Sequence, residues 1–341
     1  MGKSIVTIGG GIAGIEASGI LAELGYAVSV IEKEPDFGGK LKNWDHLFPN
    51  MRKAEEIEDY LSRKGKTPGI TLFPNTTIAS FENIKSGFVL KSNHGVSYSA
   101  HAVIVATGFE VFSAERKEEY GYKIYDNVIT SADLEKRLKS GTPLTTLAGK
   151  TPQRIAFIHC VGSRDAKVGN TYCSKVCCVT GVKQAIEVNK LLPATQIFNF
   201  YMDLRMHGLE HEEIYKTAQE KHNIQFIRGR LSEVSENIDH SLLIKAEDTL
   251  SGRPLKMNVD LVVLLVGMEP GVGTTAIGKA CNIEFNQYGY LKIPDVHLAG
   301  NLTSRKGIFV AGSCSCPMSV KDTIEHARSA AFEVHRYLIE N

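Results

Sequence analysis

The chain has 341 residues, 43% apolar and 23% charged, with 39 Lys and Arg against 38 Asp and Glu for a net charge of +1. This composition suits an ordinary globular protein of about two domains with a sizeable core, and it lacks the basic excess of a nucleic-acid binder. The longest strongly apolar run, residues 261–266 (LVVLLV), is far short of the roughly 20 residues a helix needs to cross a bilayer, so no membrane span is expected.

Ser4-Ile5-Val6-Thr7-Ile8 reads as a strand, rich in β-branched residues. It begins after three residues, which leaves no room for a secretory leader and makes a cytoplasmic setting the expectation. The strand runs into Gly9-Gly10-Gly11-Ile12-Ala13-Gly14. A helix is predicted from there to about Leu24, with Gly25 as its stop. A second strand over 27–31 ends at Glu32, completing one strand–helix–strand unit of a parallel sheet. Residues 110–152 are polar, charged and weakly periodic, and read as a connection between domains. A similar unit follows: a strand over 154–159, a helix from near Cys173 to before Pro193, and a strand over 196–201. A helix over 209–220, a strand over 224–227 and hairpin-like strands lead to the buried run at 261–266. In the last helix, 319–338, Val320, Ile324, Ala327, Ala331, Val334 and Leu338 step by four and three, and Ser319 with Asp322 resembles a capping box. The pattern predicts an α/β protein with a second domain inserted into the first: 1–115 with 268–341, an inserted 150–267, and 116–149 connecting them.

Each glycine of the first unit has a physical task. Gly9 permits the tight turn out of the strand, Gly11 lets a pyrophosphate approach the backbone, and Gly14 lets the helix pack close to the sheet. The helix N-terminus, which includes Ala13, favours the phosphates. Glu32, 18 residues after Gly14, can accept from both ribose hydroxyls, with Lys33 beside it. Three further features, in order along the chain, point to FAD rather than NAD. Phe37-Gly38-Gly39-Lys40 follows the ribose carboxylate, Val103-Ile104-Val105-Ala106-Thr107-Gly108 is a strand ending in an Ala-Thr-Gly turn, and Gly307-Ile308-Phe309-Val310-Ala311-Gly312 precedes the last helix. That helix, with Thr323 in its first turns, would aim its N-terminus at the flavin's pyrimidine edge. Ser313 stands where an acidic residue is usual. Lys40 is a candidate for tuning the flavin, and no side chain is assigned a catalytic role, because the chemistry belongs to the cofactor.

Seven cysteines are present, and four of them, Cys160, Cys173, Cys177 and Cys178, lie within one short stretch. In a reducing compartment such a group points to metal or redox chemistry rather than structural disulfides. Four thiolates from a strand end and a helix start suit an iron–sulfur cluster, and zinc accepts the same ligands. A redox disulfide and buried structural cysteines are the other readings; the redox setting of a flavin favours the cluster. The loop Cys160-Val161-Gly162-Ser163-Arg164-Asp165 carries no second glycine fingerprint, which weakens the case for nicotinamide binding there. Cys314 and Cys316 read first as small residues in a tight turn, with a redox pair or extra ligands near the flavin as the other reading, and Cys281 reads as core.

The segments Cys160-Val161-Gly162-Ser163-Arg164-Asp165, Tyr172-Cys173-Ser174-Lys175-Val176-Cys177-Cys178, Tyr201-Met202-Asp203-Leu204-Arg205 and Phe226-Ile227-Arg228-Gly229-Arg230 resemble the A-type polypeptide of heterodisulfide reductase, as does Glu212-Glu213-Ile214-Tyr215. The resemblance covers nearly the whole chain. It implies a two-dinucleotide-binding-domain flavoprotein of thioredoxin-reductase-like fold, with FAD and one [4Fe-4S] cluster on Cys160, Cys173, Cys177 and Cys178. It also implies a homodimer working with B- and C-type iron–sulfur subunits. The ferredoxin-like cysteine motifs of long family members are missing, so the resemblance leaves open whether electron bifurcation occurs. The short form resembles instead the corresponding subunit of the heterodisulfide-reductase-like complex of sulfur oxidisers. The alternatives are a free-standing NAD(P)H-dependent disulfide oxidoreductase and a non-catalytic scaffold with structural zinc.

Overall fold

The computed structural model describes residues 2–341. The chain divides into two compact units, one built from Met1–Lys42, Glu55–Glu110 and Glu269–Asn341, the other from Asn43–Ala54 and Val111–Met268. The second is thus inserted into the first. Seven α-helices occur among the described residues: α1 Ile12–Glu23, α2 Ala54–Lys64, α3 Ser131–Ser140, α4 Cys177–Leu191, α5 His211–Glu220, α6 Val272–Ala280 and α7 Val320–Glu340. None is long and apolar enough to cross a membrane.

The first unit is organised on a five-stranded parallel sheet with the order Ile308–Val310, Ala102–Val105, Ser4–Ile8, Ala27–Ile31, Ile70–Phe73. A parallel sheet is covered on both faces, so its strands are apolar without alternation; all of Ala102–Val105 is buried. A three-stranded antiparallel sheet, Ile78–Ile84, Gly87–Ser92 and Ser97–Ala100, adds Phe88, Leu90 and Tyr98 to the same core as Val6, Ile8, Val103 and Val310. Helix α7 begins with a complete capping box: the Ser319 hydroxyl accepts from Asp322 N, and the Asp322 side chain accepts from Ser319 N.

The second unit repeats the plan. Its parallel sheet has the order Val128–Thr130, Leu261–Val266, Arg154–Val161, Gln196–Tyr201, Gln225–Arg228. Period-two alternation along the central strands feeds two cores. Ile155, Phe157, Leu261, Val263 and Leu265 pack with α4, whereas Ala156, Ile158, Val262 and Leu264 pack with the antiparallel sheet Leu231–Glu236, Leu242–Asp248, Arg253–Val259. Phe157, fully buried, is the kind of side chain whose burial contributes about 1.5–3 kcal/mol.

Three expectations from sequence are corrected here. Residues 116–149 are not a connector. They supply the edge strand Val128–Thr130 and α3, whose N-cap Thr130 forms a capping box with Asp133 and whose Gly141 ends it at φ +66°. The polar face that looked weakly periodic is the exposed side of a short helix whose Leu134 is buried. Helix α4 starts at Cys177, not near Cys173, because Lys175 takes a left-handed φ of +65°, which an α-helix cannot include. Cys160 lies inside the strand Arg154–Val161 rather than after it, at a ladder irregularity between Ile158 and Val161.

Candidate functional site

In the first unit the parallel strands Ser4–Ile8, Ala27–Ile31, Ala102–Val105 and Ile308–Val310 all end at one sheet edge. Gly9, Glu32, Ala106 to Gly108 and Ala311 to Gly312 follow directly, at the edge where α/β sheets bind ligands. Gly9 sits at φ +109°, and a Cβ there would lie 2.3 Å from the Ala106 carbonyl oxygen. A Cβ on Gly14 would come within 1.8 Å of the Gly9 carbonyl oxygen, so only glycine lets α1 start this close to the strand. No side chain caps α1 at Gly11, which leaves its N-terminal N–H groups suited to an anion.

The second glycine pair lies against the first. Gly38 N donates to the Gly10 carbonyl at 2.8 Å, Gly11 and Gly38 form a parallel bridge, and a Cβ on Gly39 would sit 3.2 Å from the Gly11 Cα. The result is a cradle walled by backbone. The Glu32 carboxylate, 7% exposed, accepts from Gly10 N at 2.7 Å and from Glu34 N at 3.0 Å. Lys33 instead extends outward, 3.4 Å from Glu34. Lys40 pairs with Glu110 at 2.7 Å and lies 5.6 Å from the Phe109 ring centroid. Thr107 and Thr274 hydroxyls are 2.8 Å apart, and Gly108 turns at φ +70°.

The C-terminal signature joins the same place. A Cβ on Gly312, φ +74°, would meet the Ala13 Cβ at 2.8 Å and the Thr323 Cγ2 at 3.2 Å, so α1, the Gly312 turn and α7 converge. Gly312 N donates to His326 Nδ1 at 2.9 Å, and His326 Nε2 lies 3.0 Å from the Gly300 carbonyl. Ser313 is buried. Sequence reasoning did not single out Glu110, Thr274 or His326. Each is defined by a partner far along the chain, and only the adjacency of Glu110 to the Ala-Thr-Gly turn hinted at a role.

In the second unit the four cysteines lie on a contorted segment. Cys160, Arg164 and Lys175 all have left-handed φ, at +59°, +53° and +65°. Such conformations in residues other than glycine cost about 1–3 kcal/mol each and persist where surroundings over-determine them. Ser163 and Ser174 hydroxyls bond each other, and Ser174 accepts from Met268 N at 2.8 Å, which braces the loop. Cys160, Cys177 and Cys178 are buried; Cys173 is half-buried. Cys177 is within hydrogen-bonding reach of both Cys160 and Cys178. Hydrogen bonding with Cys177 pulls the Cys178 thiol down to about 4 and the Cys160 thiol to about 7. The same bonds, with burial, hold Cys177 well above its ordinary value.

Donors surround the sulfurs. Lys175 N donates to Cys173 Sγ at 3.3 Å and Arg205 N to Cys178 Sγ at 3.5 Å. Arg164, held by Asp203 at 2.7 Å, places a guanidinium charge near Cys160 and Cys173. His159, a buried neighbour of the group, bonds Asn199 at 2.9 Å. Cys281 is core, as expected. The Cys314 thiol donates to the Val105 carbonyl at 3.2 Å and is pushed up to about 12 by burial, which leaves it a neutral turn residue.

Residues 1–140 and 174–333 match the pyridine nucleotide-disulphide oxidoreductase family. The chain belongs to this family. It is 30% identical to the A-type iron–sulfur polypeptide of the CoB–CoM heterodisulfide reductase of Methanocaldococcus jannaschii, over 97% of this chain and 64% of that protein. It is 29% identical to the A-type polypeptide of the H2:CoB–CoM heterodisulfide,ferredoxin reductase of Methanothermobacter marburgensis, over 96% of this chain and 63% of that protein. The chain therefore spans a little under two thirds of the length of these relatives. Thioredoxin reductases of T. acidophilum and Lactococcus lactis superpose on it with TM-scores of 0.68, at 16% and 17% identity, covering 99% of this chain and 99% and 100% of theirs. The fold is thus that of thioredoxin reductase, a two-dinucleotide-binding-domain flavoprotein, and this member of the pyridine nucleotide-disulphide oxidoreductases is an oxidoreductase.

Proposed function

We propose that the chain is an FAD- and [4Fe-4S]-carrying electron-transfer subunit of a heterodisulfide-reductase-like complex, working in oxidative sulfur metabolism. The observation that carries this reading is the braced segment, left-handed at Cys160, Arg164 and Lys175, on which Cys160, Cys173, Cys177 and Cys178 lie. When bound, FAD supplies two-electron chemistry and the cluster one-electron transfer. The chain's own residues fit both groups. Gly11 leaves the volume of a side chain free for the pyrophosphate, Gly9 and Gly14 allow the strand and α1 to meet at backbone contact, Gly38 and Gly39 lie against that turn, and Ala13 with the α1 N-terminus favours the phosphate charge. Glu32, held by Gly10 N, is oriented for ribose hydroxyls. Thr107, Gly108, Gly312, Ser313 and Thr323 line the same sheet edge, and Lys40 supplies positive charge beside the glycine pair.

Cys160, Cys173, Cys177 and Cys178 offer four sulfur ligands, with backbone N–H groups aimed at two of them. On this reading FAD belongs to the first unit and the cluster to the second. The protein works as a homodimer with B- and C-type iron–sulfur subunits. The relatives' names, which specify A-type polypeptides of heterodisulfide reductases, support the partnership.

Anaerobic purification followed by metal analysis and electron paramagnetic resonance tests the proposal. About four irons and one flavin per chain are expected, with the iron lost in Cys173→Ser and Cys178→Ser. Zinc without iron would overturn it. The family match favours one second reading, an NAD(P)H-dependent disulfide oxidoreductase. Rapid flavin bleaching by NADH would support that reading, and the absence of a second glycine fingerprint at 160–165 predicts slow bleaching.

A further inference from the structure

In the second unit, three elements converge on a buried polar group that the proposed cofactors leave unused. Asp45 and His46 come from the segment Asn43–Ala54, Glu135 from α3, and Lys183, Gln184 and Glu187 from α4. Glu187 stands nine residues beyond Cys178, about 14 Å along the helix, so this group is separate from the cysteines.

His46 Nδ1 lies 3.0 Å from Asp45 Oδ2 and 3.0 Å from Glu187 Oε1, and all three atoms fall within 4.8 Å of one another. One ring nitrogen thus faces two carboxylates. Ligands in neighbouring positions around a divalent ion, bound at about 2.1 Å, stand about 3.0 Å apart, which is the spacing found here.

The surrounding hydrogen bonds are committed to another residue. Lys183 Nζ donates to the His46 carbonyl at 3.0 Å and to Glu135 Oε1; Gln184 Nε2 donates to Glu135 Oε1 at 2.9 Å; Asp45 N donates to Glu135 Oε2 at 3.2 Å. Glu135 is saturated. Glu187 is not: its side chain is 8% exposed, yet neither carboxylate oxygen has a hydrogen-bond partner. Lys183 Nζ, which also serves Glu135 and the His46 carbonyl, forms an ion pair with Glu187 Oε2 at 3.0 Å. A buried carboxylate without hydrogen bonds is costly. Three carboxyl groups, on Asp45, Glu135 and Glu187, share a single lysine, Lys183, a balance that suits a cation.

We propose that Asp45, His46 and Glu187 bind a divalent transition-metal ion. One imidazole nitrogen with carboxylate oxygens suits Mn²⁺, Fe²⁺ or Zn²⁺ and leaves positions for water. The ion ties the segment Asn43–Ala54 to α4. Its task is structural, and it is independent of what the cysteines hold.

The test uses the full chain with its cofactors, chelator-washed, and Mn²⁺ as probe, because Mn²⁺ avoids thiolates. Free Mn²⁺ is read from its paramagnetic resonance signal during titration. About one ion per chain is expected, with affinity falling at least about tenfold in His46→Gln and Glu187→Gln. Mn²⁺ should also raise the thermal midpoint of the parent protein and not of the variants. Asp45→Asn, at a half-buried position, gives a third variant that keeps the packing of α4. Absence of Mn²⁺ binding below millimolar concentration, or binding unchanged in folded Glu187→Gln and Asp45→Asn, would overturn the proposal.

Discussion

At the scale of single residues, the glycines were readable because their demand is local. A positive φ or a missing Cβ can be inferred from position in a strand–turn–helix pattern, and Gly9 and Gly14 show both. Their partners were not readable. His326 lies 14 residues from Gly312 and becomes its acceptor only when α7 packs beside the turn. That contact sets a pH dependence. Burial lowers the His326 pKa below 6.5, and its Nδ1 accepts from Gly312 N, so the folded protein holds the ring neutral. The unfolded chain binds the proton more readily between the two pKa values. The contribution is therefore complete above pH 6.5 and is lost as pH falls through the lowered folded value. Thermal midpoints should drop more between pH 7 and pH 5 in the parent protein than in His326→Gln; equal drops would remove His326 from the account. Lys40 was singled out from sequence as a candidate for tuning the flavin, and the structure adds Glu110 at 2.7 Å. The pair is half-exposed, and such pairs contribute about 1 kcal/mol or less. Lys40→Ala is expected to lower the flavin potential by roughly 20 mV or less, measured by spectroelectrochemistry.

At the scale of elements, helix ends with side-chain caps were visible in the sequence, and ends set by tertiary strain were not. Ser319 and Asp322 announce α7, and the structure shows both hydrogen bonds. Ser319→Ala should cost about 1 kcal/mol, read as a shift in a urea midpoint at unchanged slope. Cys173 carried the right spacing to join α4, but Lys175 is left-handed and the helix waits until Cys177. Cys160 bends a strand that its sequence describes as regular. Both departures fall in the cysteine segment, as expected where a site rather than local propensity sets the backbone. In helix α1, packing overrides propensity, because Gly14 is a poor helix former in a helical position. Gly14→Ala would drive a methyl group into the Gly9 carbonyl, a backbone contact that no rotamer relieves. Loss of bound flavin, or of soluble protein, is the expected result, and a variant with full flavin content would contradict the cradle.

At the scale of the whole molecule, each unit has its own cores: Val6, Val103 and Val310 belong to one, Phe157, Val182 and Val263 to the other. A ligand held by one unit therefore stabilises that unit first. FAD at about 100 times its dissociation constant contributes about 2.7 kcal/mol to the state that binds it. Calorimetry of flavin-free and reconstituted protein should show one transition move and another stay; a single transition shifting as a whole would mean that the units unfold together. The amino-acid sequence by itself determined the parallel strands, the glycine turns, the capping of α7 and the family, because these depend on periodicity, φ and short spacings. Only the tertiary structure decided that residues 116–149 complete a sheet, that the cysteine segment is left-handed at Cys160, Arg164 and Lys175, and that Asp45, His46 and Glu187 meet. Those features depend on contacts between residues up to 142 positions apart in the chain, as between Asp45 and Glu187, and no local pattern records which buried charge will face which.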